Sequence, residues 1–269
     1  MKQSIGLKSI QNARELGGYK GACGRSIKHG LLLRTAKLSG ISKEDLAILK
    51  DKYHVSQIID FRMPPEISGM EDPDITGAVY SNLDVMISFD DMDVDQEAFK
   101  LKNPDLRIIV DACEKIGMLD GRMYIGILEG EAGIRGYREF FDILLRARPG
   151  EAVLWHCTAG KDRTGLATML LLSALGVDEQ TVVDDYLLTN DYNRKPADLT
   201  TQMLKAQGYD DEFISKAVIA FQLIDEIFIR RTLTHLKENY GSVIGYLKGK
   251  LDFTDSEIDE LKERYLERI

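Results

Sequence analysis

The sequence HCTAGKDRTG at positions 156–165 constrains this chain more than any other stretch. An apolar, strand-like stretch, AVLW at 152–155, leads into it, and a strongly helical one, LATMLLL at 166–172, follows. Cys157 and Arg163 therefore lie six positions apart at a strand-to-helix turn. Successive backbone N–H groups of such a turn, together with the N-terminus of the following helix, converge on one point of positive potential suited to an anion. The same potential favours the thiolate of a cysteine held there, and the planar fork of Arg163 can grip two oxygens of a phosphate. This combination is suited to cleaving phosphoester bonds. Gly160 permits the tight turn and a close backbone approach. The bland reading of a cysteine is core packing, and it suits Cys113, in the amphipathic stretch 108–119.

At 269 residues the chain is long enough for a sizeable core, and 44% apolar with 29% charged residues is ordinary for a soluble globular protein. A net charge of −9 speaks against a nucleic-acid partner. Attraction for an anionic substrate must then be local, from Arg163, Lys161 and neighbouring cations. Three cysteines without metal-ligand spacing predict a reducing compartment, no metal and no disulfide framework. The first residues lack the apolar core of a signal peptide, and no stretch has the length and polarity of a membrane span. A cytoplasmic location is the expectation, with export by other routes left open.

Along the chain, strands are predicted near 31–33, at 56–60, at 78–83 and at 152–155. Ser42 with an acidic first turn predicts a helix to about 53, and Pro64 and Pro65 end the strand before them. The acidic stretch 84–105 reads as a loop. Residues 106–148 read as helix interrupted near 120, and 213–232 as one long helix. Thr254 and Glu257 form a capping-box pattern for a last helix over 257–268. Alternating strands and helices followed by a helical second half predict an α/β core with added helices.

The loop resembles the phosphate-binding loop of the protein tyrosine phosphatase superfamily. Its Cys-x-x-Gly-Lys-Asp-Arg form resembles a bacterial branch of cysteine-dependent enzymes that also act on phosphoinositides. NARELGGY at 12–19 is similar to that branch's Asn-x-Arg-Asp-Leu-Gly-Gly signature, with Ala13 and Glu15 as departures. LRTAKLS at 33–39, the set Asp60, Phe61, Arg62 and Glu66, DYLLTN at 185–190 and YGS at 240–242 also fit, so the resemblance covers nearly the whole chain. It implies a small, mostly parallel central sheet flanked by helices, extra helices in the C-terminal half, and one phosphatase domain over 1–269. It also implies a helical insertion or lid at about 190–240, which simple core covering would explain equally well.

The expected chemistry follows from these residues. Cys157 attacks phosphorus to form a phosphocysteine that water then hydrolyses, without a cofactor. Arg163 binds the phosphate, and so do the loop residues Thr158, Ala159, Gly160 and Lys161. Thr164 is placed to hydrogen-bond the sulfur or to satisfy a helix-start donor. His156 fixes the loop rather than acting as acid or base, and Asp60 supports the site from behind. Arg62 pairs with Glu66 or Asp60, while Arg14 and Arg34 are further supporting cations. The leaving oxygen needs a proton donor. The Trp-Pro-Asp loop of many tyrosine phosphatases is absent, because Trp155 is the sole tryptophan. Asp162 is the leading candidate, and the resembled branch carries an aspartate at this position, with Asp84, Asp90 and Asp91 as rivals. Lys161 could read a second phosphate or pair with an acid nearby. The expected substrate is a phosphotyrosine monoester, with phosphoserine, phosphothreonine and phosphoinositides also open. The alternatives are a dedicated phosphoinositide phosphatase, an inactive phosphate-reading module, or a sulfur-transfer or arsenate-reducing thiol enzyme. The oligomeric state is not specified by the sequence.

Overall fold

In a computed structural model, residues 3–86 and 105–268 are described. The strands are β1 (Arg14–Glu15), β2 (Ser26–Ile27), β3 (Leu32–Thr35), β4 (Val55–Asp60), β5 (Val79–Asn82), β6 (Ala152–His156) and β7 (Leu266–Glu267). Five of them make the central sheet, in the order β1-β3-β6-β4-β5. β3, β6, β4 and β5 run parallel, and β1 closes one edge antiparallel to β3. β2 and β7 pair separately.

β6 lies at the centre because it can be covered on both sides. All five of its residues are buried, as expected for an inner parallel strand. Alternation divides them between two cores. Val153 and Trp155 face the main cluster with Phe140, Leu166 and Leu170. Ala152 and Leu154 face a second cluster with Leu33, Leu49 and Ile58. The C-terminal end of β6 thus opens between β3 and β4, at the carboxyl edge where open α/β sheets place their ligands.

Eleven helices surround the sheet among the described residues. α1 (Lys43–Ala47) starts at Ser42, whose hydroxyl accepts from Asp45 N, and runs on as a wider turn through Ile48–Lys52. α2 (Pro64–Ile67), α3 (Leu106–Lys115), α4 (Arg122–Glu129), α5 (Glu131–Arg146) and α6 (Asp162–Ala174) follow. α7 (Glu179–Ala206), α8 (Asp211–Phe221), α9 (Glu226–Tyr240), α10 (Val243–Lys250) and α11 (Asp255–Tyr265) complete the chain. The fold is the α/β arrangement expected, with the predicted strands in place and the Thr254–Glu257 capping box formed.

Four expectations need correction. The single helix over 213–232 is two, because Asp225 caps a new helix by accepting from Ile227 N. Asn190 holds the link between them at both polar atoms of Ile224, and Asn193 donates to Gln222 O. The stretch 106–148 breaks a second time at Gly130, which ends α4 and starts α5. Pro64 and Pro65 do not merely end β4; they form the first turn of α2, where their missing N–H groups cost nothing. The segment 190–240 has no boundary at 190, since α7 runs unbroken through it. Phe228, Ile229, Leu233 and Leu236 of α9 belong to the main core. A separate satellite core joins Val110 of α3, Ala197 and Leu204 of α7, and Phe213, Ile214, Ala217 and Val218 of α8.

α4 and α5 approach so closely that a Cβ on Gly133 would stand 1.8 Å from the carbonyl oxygen of Ile127. Backbone cannot yield cheaply there. Gly133→Ala should cost about 1–3 kcal/mol of stability in urea unfolding; an unchanged midpoint would contradict this packing.

Candidate active site

The loop between β6 and α6 is held from outside by its carbonyl groups. His156 Nδ1 lies 3.3 Å from Cys157 O, and Lys37 N donates to Thr158 O at 3.2 Å. Asn12 Nδ2 donates to Ala159 O and Gly160 O at 3.4 and 2.7 Å, and Arg34 Nη2 donates to Gly160 O at 2.8 Å. No cis peptide occurs among the described residues. In a trans peptide the N–H points opposite the preceding C=O. Turning four successive carbonyls outward therefore turns the N–H groups of Thr158, Ala159, Gly160 and Lys161 inward. None of those four N–H groups donates a hydrogen bond among the described residues. Gly160 has φ +66°, and a Cβ there would lie 2.4 Å from Thr35 O, so a side chain is excluded. Cys157 is buried beside this cradle, within electrostatic reach of Arg163 and Arg34.

Arg163 is fixed end-on by Glu66, the last turn residue of the α2 entry. Its Nη1 donates to Glu66 Oε2 at 2.6 Å and to Phe61 O at 3.1 Å; its Nη2 donates to Glu66 Oε1 at 2.8 Å. A guanidinium has five N–H groups, so Nε–H and one Nη2–H remain on its free edge. Glu66 also accepts from Thr158 Oγ1 at 2.5 Å and from Met63 N at 2.9 Å. Burial alone would raise its carboxyl, yet the hydrogen bonds and charge of Arg163 hold it at about 2 instead of 4.5. Burial would lower Arg163, but Glu66 and Cys157 outweigh it and the guanidinium is pushed above its ordinary value.

Two buried charge clusters brace the loop. Asp185 of α7 lies between Arg14 Nε at 3.2 Å and Arg34 Nη1 at 2.8 Å, and all three are shut from solvent. Burial raises Asp185, but the two arginines hold it below the usual carboxylate range. Arg14 also donates to Asn12 Oδ1, linking this cluster to the loop carbonyls. On the other side, Arg62 grips Asp60 through Nε and Nη2 and reaches Asp72 at 3.0 Å. His156 Nε2 lies 2.7 Å from Asp72 Oδ2. Asp60, Asp72 and His156 have ligand atoms within 4.8 Å of one another, but the guanidinium of Arg62 already bridges both carboxylates.

The remaining expected residues fall as follows. Lys161 is not at the loop rim. It is buried, and its ammonium donates to the carbonyls of Ile219, Ala220 and Leu223 at the end of α8, at 2.7, 2.8 and 3.2 Å. Asp162 Oδ2 lies 3.6 Å away. All three ammonium hydrogens are spent on the helix end, which favours a cation there. Asp162, the first residue of α6, accepts from Tyr124 OH at 2.6 Å. Thr164 Oγ1 is buried and has no hydrogen-bond partner among the described residues, so the expected bond to the sulfur is not formed. Arg14 and Arg34 lie behind the loop, and Arg62 pairs with Asp60 and Asp72 rather than with Glu66. Asp84 follows β5, two strands from β6, and accepts from Met86 N. Asp90 and Asp91 lie outside the described residues. Sequence reading assigned no role to Asn12, Asp72, Tyr124, Asp185 or Tyr186. Asn12, Asp185 and Tyr186 do stand within the family-like motifs, but Asp72 and Tyr124 carried no signal.

Fold and loop together define an α/β protein with a strand–loop–helix anion cradle, a buried thiol and a pinned arginine. A family model described as the tyrosine phosphatase family matches residues 5–267. The chain is 29% identical over 267 residues to a Cupriavidus necator protein named "Putative tyrosine-protein phosphatase", covering 98% of this chain and 89% of that one. It is 35% identical over 108 residues to the triple specificity protein phosphatase of Mycobacterium tuberculosis, across 37% of this chain and 38% of that one. A tyrosine-protein phosphatase of Nostoc commune is 31% identical over 135 residues, 48% of this chain and 43% of that one. The chain belongs to the tyrosine phosphatase family. It is accordingly a phosphatase, acting on a phosphorylated substrate.

Removing Asp185 would leave two buried guanidinium groups unpaired. Asp185→Ala should cost about 3–5 kcal/mol in urea unfolding; a loss no larger than that of an exposed ion pair would contradict the buried network. Glu66 is one of the carboxylates that set the pH dependence, alongside Asp60, Asp185 and Glu257, which are also held low. Its folded value is depressed, so its contribution is complete above about 4.5 and fades as the pH falls towards about 2. Glu66→Gln should make stability fall less steeply across that window, and an unaltered acid-unfolding curve would contradict the pairing.

Proposed function

We propose that the chain hydrolyses phosphotyrosine monoesters through a phosphocysteine on Cys157. The observation that carries this reading is the loop with four carbonyls turned out and four N–H groups turned in beside a buried thiol. In that reading three phosphate oxygens take the N–H groups and the free edge of Arg163. The Cys157 sulfur attacks phosphorus in line, the P–O bond to tyrosine breaks, and Asp162 protonates the leaving oxygen. Water then attacks phosphorus, its proton goes to Asp162, and the S–P bond breaks. Thr164 Oγ1, buried and unpartnered, has a free hydrogen to give the departing sulfur.

The position of Lys161 bears on substrate choice. An ammonium already committed to three carbonyls is not a ready site for a second phosphate, so the phosphotyrosine reading stands ahead of a dedicated phosphoinositide phosphatase. A relative named for triple specificity supports testing more than one class of phosphorylated substrate. The whole chain acts in this reading as one phosphatase domain, with the α3, α7 and α8 satellite covering one side of the loop. No helix among the described residues is long and apolar enough to cross a membrane.

Cys157→Ser should abolish turnover of p-nitrophenyl phosphate while keeping the fold and orthovanadate binding; retained turnover would sink the mechanism. Lys161→Met should lower turnover of phosphotyrosine peptide and phosphoinositide by a similar factor. A loss confined to phosphoinositide would return Lys161 to the substrate.

A further inference from the structure

Asp162 does not stand alone at the start of α6. Its Oδ1 accepts from Tyr124 OH at 2.6 Å, and the hydroxyls of Tyr124 and Tyr186 are 2.7 Å apart. The two rings meet edge to face at 6.2 Å, and Tyr124 also packs edge to face on Phe228 at 6.1 Å. Both tyrosines are buried, one on α4 and the other on α7. A hydroxyl has one hydrogen to give. Tyr124 gives its own to Asp162, so it must accept from Tyr186, and the chain runs from Tyr186 to Tyr124 to Asp162.

Burial and nearby acidic groups push both phenols well above their ordinary value, so neither yields its proton in this position. They are fixed donors rather than titrating groups. An isolated carboxyl can rotate and exchange the roles of its two oxygens. With Oδ1 committed to Tyr124, the oxygen left to carry a proton is Oδ2, which lies 3.6 Å from the Lys161 ammonium but receives none of its three hydrogens, all given to carbonyls. A group that must give a proton in one step and take one back in the next needs the same oxygen in the same place both times.

We propose that Tyr124, backed by Tyr186, is the positioning residue that locks the Asp162 carboxyl and reserves Oδ2 for proton exchange. The proposal rests on the reading of Asp162 as the general acid. It also gives a role to both helices: α4 sends Tyr124 to Asp162 Oδ1, and α7 sends Tyr186 to the Tyr124 hydroxyl.

The test is a series of aryl monophosphates of graded leaving-group acidity, from phenyl phosphate to 2,4-dinitrophenyl phosphate. It would be run on the wild type, Tyr124→Phe, Tyr186→Phe, Asp162→Asn and the Tyr124→Phe, Asp162→Asn double variant. Phenylalanine keeps the ring packing and removes only the hydroxyl, and thermal unfolding confirms that each variant is folded. Tyr124→Phe should lower kcat/KM for phenyl phosphate about tenfold, the worth of one hydrogen bond to a charged group. It should leave kcat/KM for the dinitrophenyl ester, which needs no proton on its leaving oxygen, nearly unchanged. Tyr186→Phe should show the same trend more weakly, and the double variant should be no slower than Asp162→Asn alone. A uniform loss across the series, or additive losses in the double variant, overturns the proposal. If Asp162→Asn shows a graded loss while Tyr124→Phe does not, only the locking role falls. A flat series for Asp162→Asn removes the acid assignment and the locking role together.

Discussion

The site depends on where the loop's carbonyl groups are pinned. A tight turn of five residues has no ladder partner for its peptide groups, and each buried C=O needs a donor. Here Asn12, Arg34, Lys37 and His156 supply those donors from outside, and trans geometry does the rest by facing the N–H groups inward. The cradle is thus made by its back wall. This accounts for the cost of burying Arg14 and Arg34 so close together. Asp185 neutralises them, and they in turn hold the loop.

A second consequence concerns the two cations nearest the loop. Arg163 is oriented by Glu66 yet keeps one edge of its guanidinium open, whereas Lys161 is spent on the end of α8. The loop and the satellite helices are therefore mechanically tied through one ammonium group. Two residues separated only by Asp162 serve different ends, one keeping an open guanidinium edge and the other tied to the scaffold.

Much of this was legible in the sequence where the physics is local. The strand before Cys157, the glycine at position 160 and the apolar helix after it each follow from near-neighbour preferences, and β6 was recognisable from four apolar residues. The caps at Ser42 and Thr254 follow from spacing of three. What escaped is pairing at a distance. Asp72 meets His156 from a loop with no pattern of its own, and Tyr124 meets Asp162 with Tyr186 behind it, from two helices whose periodicity marks them simply as core. The carbonyls that hold Lys161 lie 58 to 62 residues beyond it, so a lone lysine in a turn of this kind read as a ligand. The break between α8 and α9 escaped because residues 222–225 contain neither glycine nor proline; the side chains of Asn190 and Asn193 stabilise it from α7.

The central claim is that Cys157 carries phosphate during turnover. It is tested most directly by mixing the protein with a phosphorus-32-labelled phosphotyrosine peptide, quenching with denaturant within milliseconds and mapping the label by mass spectrometry. The account predicts label on the sulfur of Cys157 in the wild type, at a fraction of one per protein, and none in Cys157→Ser. Label on another side chain, or full turnover with no trapped phosphoenzyme at any quench time, would contradict it.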